Sequence, residues 1–223
     1  MTHHPRRFTL SPWIAGTVLL TSLSLWMLWP SWDAEAFREV IRLTARTSLM
    51  FFLLAYCAQA AWALWPGSQT HWVRQHRRQW GLLLFTSHLI HLICILAFRH
   101  QDYTTYATLV PVVTLYSGTV AYAFLGLMAL SSHDRVAQWI GSRHWARLHG
   151  LGMQYLWLSF LVANGKRVAQ NPLYILPVAI LLAAIFLRLY AKQRATLPNH
   201  PTDSRFFTVK RGTPCQPGES GSR

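Results

Sequence analysis

Charge is scarce in this sequence. Only 13% of its 223 residues are Asp, Glu, Lys or Arg, about half the share of an ordinary soluble domain. Acidic residues are rarest, 7 against 21 Lys and Arg, which leaves a net charge of +14. The three cysteines, Cys57, Cys94 and Cys215, are odd in number and scattered. That excludes a disulfide-framed secreted domain and reads Cys57 and Cys94 as small buried hydrophobes. Several catalytic signatures are missing too. No P-loop, GxGxxG, Ser-His-Asp pattern, carboxylate pair or zinc spacing occurs. No polar stretch between the apolar runs is long enough for a nucleotide-binding domain, so hydride chemistry with a nicotinamide lies outside this chain.

What is present is apolar. Hydrophobic residues make up 52% of the chain, with 11 Trp, too apolar a body for disorder. Six stretches carry no Asp, Glu, Lys or Arg: 8–32, 47–73, 79–98, 103–133, 148–165 and 168–187. A membrane-crossing helix needs about 20 mainly apolar residues, and each run reaches or approaches that length. The expected fold class is therefore all-α, a polytopic membrane bundle of six transmembrane helices near 12–28, 47–65, 80–98, 106–130, 145–163 and 172–190. The first run follows Arg6 and Arg7 like a signal peptide. It ends in bulky Leu25, Trp26, Met27, Leu28 and Trp29, with no small-residue cleavage site, and reads as a retained helix.

Alternate loops divide the basic residues unequally. The N-terminus, the loop with Arg74, Arg77 and Arg78, the loop with Arg135, Arg143 and Arg147, and the C-terminal tail hold 15 of the 21. The positive-inside rule then places both termini in the cytoplasm. The basic excess describes orientation, and no nucleic acid is needed to explain it. Residues 1–11 form a cytoplasmic segment, 12–190 the transmembrane domain and 191–223 a Pro-, Gly- and Ser-rich tail expected to be disordered. Trp13, Trp29, Trp62, Trp65, Trp80, Trp139 and Trp145 sit near span ends as interfacial anchors. Gly118 and Gly126 are expected to allow close helix packing, and Pro111 to kink the fourth span.

Eleven histidines occur, and His88, His91 and His149 fall within apolar runs. A metal-capable side chain inside a bilayer is expensive and marks a functional hypothesis. His88 and His91 share one face of the third span, with Leu84 and Ile95. His149 lies near the start of the fifth span, which runs parallel to the third. Imidazoles facing each other across a bundle form a natural cage for haem iron. The ordinary alternative is a neutral histidine bonded to a neighbouring helix. Arg77, Arg78, Arg143 and Arg147 lie at the feet of the two histidine helices, positioned for lipid phosphate or for haem carboxylates. Arg46, at the far end of the second span, is a further candidate for the latter role.

Two segments carry a resemblance: RRQWGLLLFTSHLIHLICIL at 77–96, with Arg77, Arg78, Gly81, Leu82, Phe85 and His91, and LMALSSHDRVAQWIGSRHWARLHGLGMQYLW at 127–157, with Leu130, Ser131, Gly141, Arg143, Trp145, Arg147, Leu148 and His149. RLTARTSLMFFLL at 42–54 is a weaker echo. The chain resembles the ferric-reductase-like transmembrane domain over roughly 40–190, nearest to the haem-binding membrane subunit of the periplasmic methionine sulfoxide reductase system. The resemblance implies haem b, one group or more, in a multi-pass protein of the inner (plasma) membrane, with His91 and His149 as ligand positions. It implies an electron-transfer subunit, not a complete enzyme. A flavoprotein or quinol would donate, and a partner oxidoreductase would accept.

One position departs from that pattern. The family has a second histidine about thirteen residues after the Arg-Leu-His histidine, and Val162 stands there. By helix rise, His91 lies about 17 Å into its span, His88 about 13 Å and His149 about 6 Å. Three schemes stay open: His88–His149 by depth, His91–His149 by family position, and five-coordinate or absent haem by the missing partner. The rival reading is a haem-free membrane protein of the same fold, a transporter or assembly factor.

Overall fold

The computed structural model describes residues 11–196. The N-terminal residues before Ser11, with Arg6 and Arg7, and the tail from 197, with Cys215, lie outside the described residues. Everything described is helical or connecting, with no strand among the described residues. In chain order the helices are α1 (Pro12–Leu28), α2 (Ala34–Leu64), α3 (Ser68–Gln75), α4 (Arg77–Gln101), α5 (Tyr103–Leu109), α6 (Val112–Leu130), α7 (Asp134–Ile140), α8 (Ser142–Val168) and α9 (Ile175–Thr196), the last preceded by a 3-10 turn at Pro172–Tyr174. Four helical segments are long and apolar enough to cross a membrane: Ala34–Leu64, Arg77–Gln101, Val112–Leu130 and Pro172–Thr196. Pro12–Leu28 is apolar but shorter. The length of α8 suffices, yet its apolar run is interrupted by His149, Gln154, Tyr155 and Asn164.

Expectation and structure differ at several ends. The second span was expected from residue 47, but α2 begins at Ala34. Asp33 caps it by accepting the Ala36 N–H at 2.8 Å. Glu35 pairs with Arg38 at 2.6 Å and with Arg42 at 3.3 Å, and Glu39 also pairs with Arg42. Opposite charges one and two turns apart sustain helix without a bilayer. At 1.5 Å per residue α2 is about 46 Å long, longer than the ~30 Å hydrocarbon core, so its charged first turns project beyond it. Pro111 ends a helix instead of kinking one: Val110 and Pro111 are extended, and α5 and α6 are separate. A proline cannot donate to the ladder and biases its predecessor away from helix. Residues 191–196, assigned by composition to the tail, continue α9.

Packing follows small residues, though not the expected ones. A Cβ on Gly118 or Gly126 would meet nothing within 4 Å, so neither glycine serves helix contact. The close approaches are at Gly16, where a Cβ would lie 2.6 Å from Leu83, and at Gly152, where it would lie 2.7 Å from Met128. α4 packs chiefly on α2, with α1 against both, while α8 packs on α6 and α9. One core joins Leu20, Phe52, Tyr56, Leu83, Leu84, Leu125, Leu156 and Leu181. A second, towards the end of α4, joins Leu28, Phe37, Val40, Cys94, Phe98 and Tyr106. The outer surface is apolar: Leu19, Val113, Tyr116, Leu151 and Phe186 are each more than 60% exposed. Such a surface suits lipid. Of the expected interfacial tryptophans, Trp29, Trp65 and Trp139 are exposed, but Trp80 is buried, stacked on Phe51 and bonded to the Val73 carbonyl.

Candidate functional site

The densest buried polar cluster lies where α2 crosses α4. Thr44, Ser48 and Ser87 are fully buried. The Ser87 hydroxyl donates to the Thr44 carbonyl at 3.0 Å and accepts from Ser48 at 2.8 Å, with the Thr47 hydroxyl 2.9 Å away. Hydroxyls bridging helices in this way satisfy each other where water is absent. His91 belongs to this cluster. Its Nδ1 lies 3.1 Å from the Ile41 carbonyl and 3.0 Å from the Thr44 hydroxyl. A carbonyl only accepts, so Nδ1 carries the proton. The Thr44 hydroxyl donates to the Val40 carbonyl at 2.7 Å and offers its lone pair to the ring. Nε2 is then the bare nitrogen, and no hydrogen bond engages it. Metal-binding histidines are typically prepared like this, with the distal N–H fixed by a carbonyl.

His88 is one turn earlier on the same face, its ring centre 5.8 Å from that of His91. It is enclosed edge-on by Tyr122 of α6 at 5.7 Å and Phe160 of α8 at 5.6 Å. Its Nδ1 is buried and makes no hydrogen bond. His88 therefore lies in an aromatic sleeve with one polar atom unsatisfied.

His149 stands apart from both. Its Nε2 lies 2.9 Å from the Ser131 hydroxyl at the end of α6, and its ring stacks on Trp145 at 4.2 Å. The Trp145 indole donates to the Ser131 carbonyl at 3.0 Å. Two helical rulers give its level. His88 meets Phe160, eleven residues or about 16 Å beyond His149 along α8. His88 also meets Tyr122, nine residues or about 13 Å from Ser131 along α6. Two imidazoles on one iron stand about two metal–nitrogen bonds, or ~4 Å, apart. The structure does not bring His149 together with His88 or His91 on a shared axis.

The arginines divide in the same way. Arg77 precedes His91 by fourteen residues of α4, about 21 Å. It lies within Coulombic range of His149. Arg78 is engaged by Asp134 at 2.9 Å, and Arg147 is exposed in the first turns of α8. None of the three lies at the level of His91. The cation within Coulombic range there is Arg167, whose guanidinium also rests over Tyr174. Arg46 is exposed on the outside of α2. Val162 is 45% exposed, so that position faces outward from α8.

A single imidazole ligand fits this arrangement at His91. A two-imidazole cage built with His149 does not. Among the described residues no three or more His, Cys, Asp or Glu side chains converge as a metal site, so protein-only metal binding has no support. Two shallow, open depressions lie elsewhere, beside α3, lined by Trp72 and Val73 and by Trp62, Pro66 and His71. Sequence reasoning missed Thr44, Ser87, Tyr122, Phe160 and Arg167. Only the hydroxyls gave a signal: Thr44, Thr47 and Ser48 repeat at three and four residues inside an apolar stretch.

No family model, no curated protein and no solved structure matches this chain. The likeness to ferric-reductase-like domains rests on the two segments quoted above.

Proposed function

We propose that this chain is a six-span integral membrane subunit, both termini cytoplasmic, that holds one b-type haem on His91 and passes single electrons across the bilayer. The observation that carries the reading is the His91 ring. Its Nδ1–H is committed to the Ile41 carbonyl and Thr44 in mid-helix, with Nε2 left bare. Burying an imidazole among apolar helices is costly. Fixing its tautomer is the preparation a ligand needs. α1 and α8 complete the six spans. α1 is one short apolar helix, and α8 is a 27-residue helix packed on α6 and α9.

Haem, when bound, supplies one-electron chemistry. This chain's part is to orient the ligand nitrogen, exclude water and keep the surroundings apolar. Thr44 and Ile41 hold the ring. Tyr122 and Phe160 keep the neighbouring His88 desolvated, and Arg167 provides positive charge at that level. His149, with Arg77, Arg78 and Arg147, lies in a separate polar zone where both histidine helices start. An electron donor, flavoprotein or quinol, and an acceptor oxidoreductase are separate molecules in this reading, and the membrane is the cell's inner (plasma) membrane.

One ligand leaves the sixth iron position open. Protein purified after expression with supplied haem should show a Soret band, and dithionite reduction followed by carbon monoxide should shift it. A reduced spectrum of low-spin, two-histidine type that carbon monoxide leaves unchanged would reject single ligation. The haem-free alternative, a transporter or assembly factor, is favoured by the Phe160 and Tyr122 rings packed directly on His88. Absence of any Soret band would decide for it.

A further inference from the structure

Arg188 is the unexplained cation of the bundle. It projects from α9 with its guanidinium 4.0 Å over the Tyr56 ring of α2. That contact satisfies part of the charge but none of the N–H donors. Tyr56 is itself held, its hydroxyl donating to the Gln154 side chain of α8 at 2.9 Å. The Nη1 nitrogen of Arg188 is buried and makes no hydrogen bond. Arg77, the first residue of α4, is near enough for its charge to repel that of Arg188. The two like charges repel, and no carboxylate among the described residues offsets them. Among the described residues Asp33, Glu35, Glu39 and Asp102 belong to the opposite end of α2 and α4, and Asp134 is taken by Arg78.

A guanidinium with one buried, unpaired nitrogen and a second cation near it is a costly arrangement unless an anion enters. Arg77 is exposed and Arg188 half-buried, so the pair is open on the side of Arg77. From these facts we infer that Arg188 and Arg77 form a phosphate-binding site at the end of the bundle where α4 starts, filled by the headgroup of an acidic phospholipid. The guanidinium fork matches phosphate oxygens two at a time. A membrane offers that group at high local concentration beside helix ends. Tyr56 and Gln154 hold the Arg188 stem in place. This inference needs the membrane character of the chain and does not need haem.

The test is thermal unfolding of the purified full chain in a neutral detergent. Phosphatidylglycerol, phosphatidylcholine or inorganic phosphate is added at matched concentrations. Phosphatidylglycerol should raise the Tm of the unaltered protein by several degrees, and phosphatidylcholine should not. Arg188→Gln should lose most of that rise, whereas Arg135→Gln, an exposed arginine on α7, should keep it. Arg188→Lys retains the charge and the fold but not the fork, and should need about tenfold more phosphatidylglycerol for the same rise. A full response from inorganic phosphate alone would keep the phosphate site and assign it to free phosphate. An Arg188→Lys titration identical to that of the unaltered protein, or equal responses to both lipids, would overturn the proposal.

Discussion

His91 and His149 are both half-buried imidazoles tied to a hydroxyl, yet they commit opposite nitrogens. At His91 the bound atom is Nδ1, next to the ring's attachment, and the distal Nε2 is bare. At His149 the bound atom is Nε2, 2.9 Å from Ser131, and the ring face is covered by Trp145. The outer nitrogen reaches furthest from its helix, so only His91 offers it. The same side chain thus leaves its outer nitrogen free in one place and uses it to tie two helices in the other. A neighbouring carbonyl makes the difference in the first case and a helix-end hydroxyl in the second.

The sharpest way to break that contrast is to remove the hydroxyls. Ser87→Val deletes the atom that joins Thr44, Thr47 and Ser48 at a fully buried position. It leaves several polar groups unpaired, at about 1–3 kcal/mol. Ser131→Val removes the tie to His149, and its cost should be about 1 kcal/mol, since the Ser131 carbonyl keeps its bond to Trp145. Denaturant unfolding of both variants checks the order. An equal or reversed cost would remove the distinction between a ligand mount and a helix tie.

Packing gives a smaller contrast of the same form. Gly152→Ala should destabilise by about 1 kcal/mol, because its Cβ meets Met128 at 2.7 Å and Phe124 at 3.3 Å, while Met128 can partly yield. Gly126→Ala, which meets nothing within 4 Å, should be neutral or slightly stabilising through helix propensity. Melting temperatures of the pair decide it.

The smallest expected effect lies outside the bilayer. Asp102 caps α5, accepting the Thr105 N–H at 3.0 Å and the Thr104 hydroxyl at 2.8 Å. Thr105, through hydroxyl and N–H, and then Thr104 hold its carboxyl below the ordinary carboxylate range. A depressed carboxylate contributes stability above its unfolded pKa and loses it as pH falls through the folded value. The Tm difference between unaltered protein and Asp102→Ala should therefore be present at pH 7 and shrink on acidification below about pH 4. A difference constant with pH would show that the carboxylate charge does not act there.

Much of the fold was legible because a membrane imposes simple rules. Pro12 and the charge-free run mark both ends of α1, and α4, from Arg77 to Gln101, brackets the third apolar run. The extension of α2 was not legible from hydropathy, because Glu35, Arg38, Glu39 and Arg42 interrupt the run that they prolong as helix. The histidines were found because imidazoles in apolar runs are rare. Their levels were not, because depth was counted as though α4 and α8 began together. His88 meeting Phe160 shows that α8 starts about seven residues, or ~10 Å, further out on that side. That offset is set by Gly152 seating on Met128 and by Trp145 and Ser131, contacts that no single helix encodes. Arg188 was counted as a topology charge. Only the unpaired nitrogen and the Tyr56 face beneath it show otherwise.

The central claim is that His91 alone is the haem ligand. The most direct measurement is the Soret absorbance per protein of His91→Ala beside His149→Ala, both purified after expression with supplied haem. The account predicts loss of the band in His91→Ala and a band of unaltered position and near-unaltered intensity in His149→Ala. A band that survives His91→Ala, or that disappears equally in both, would contradict it.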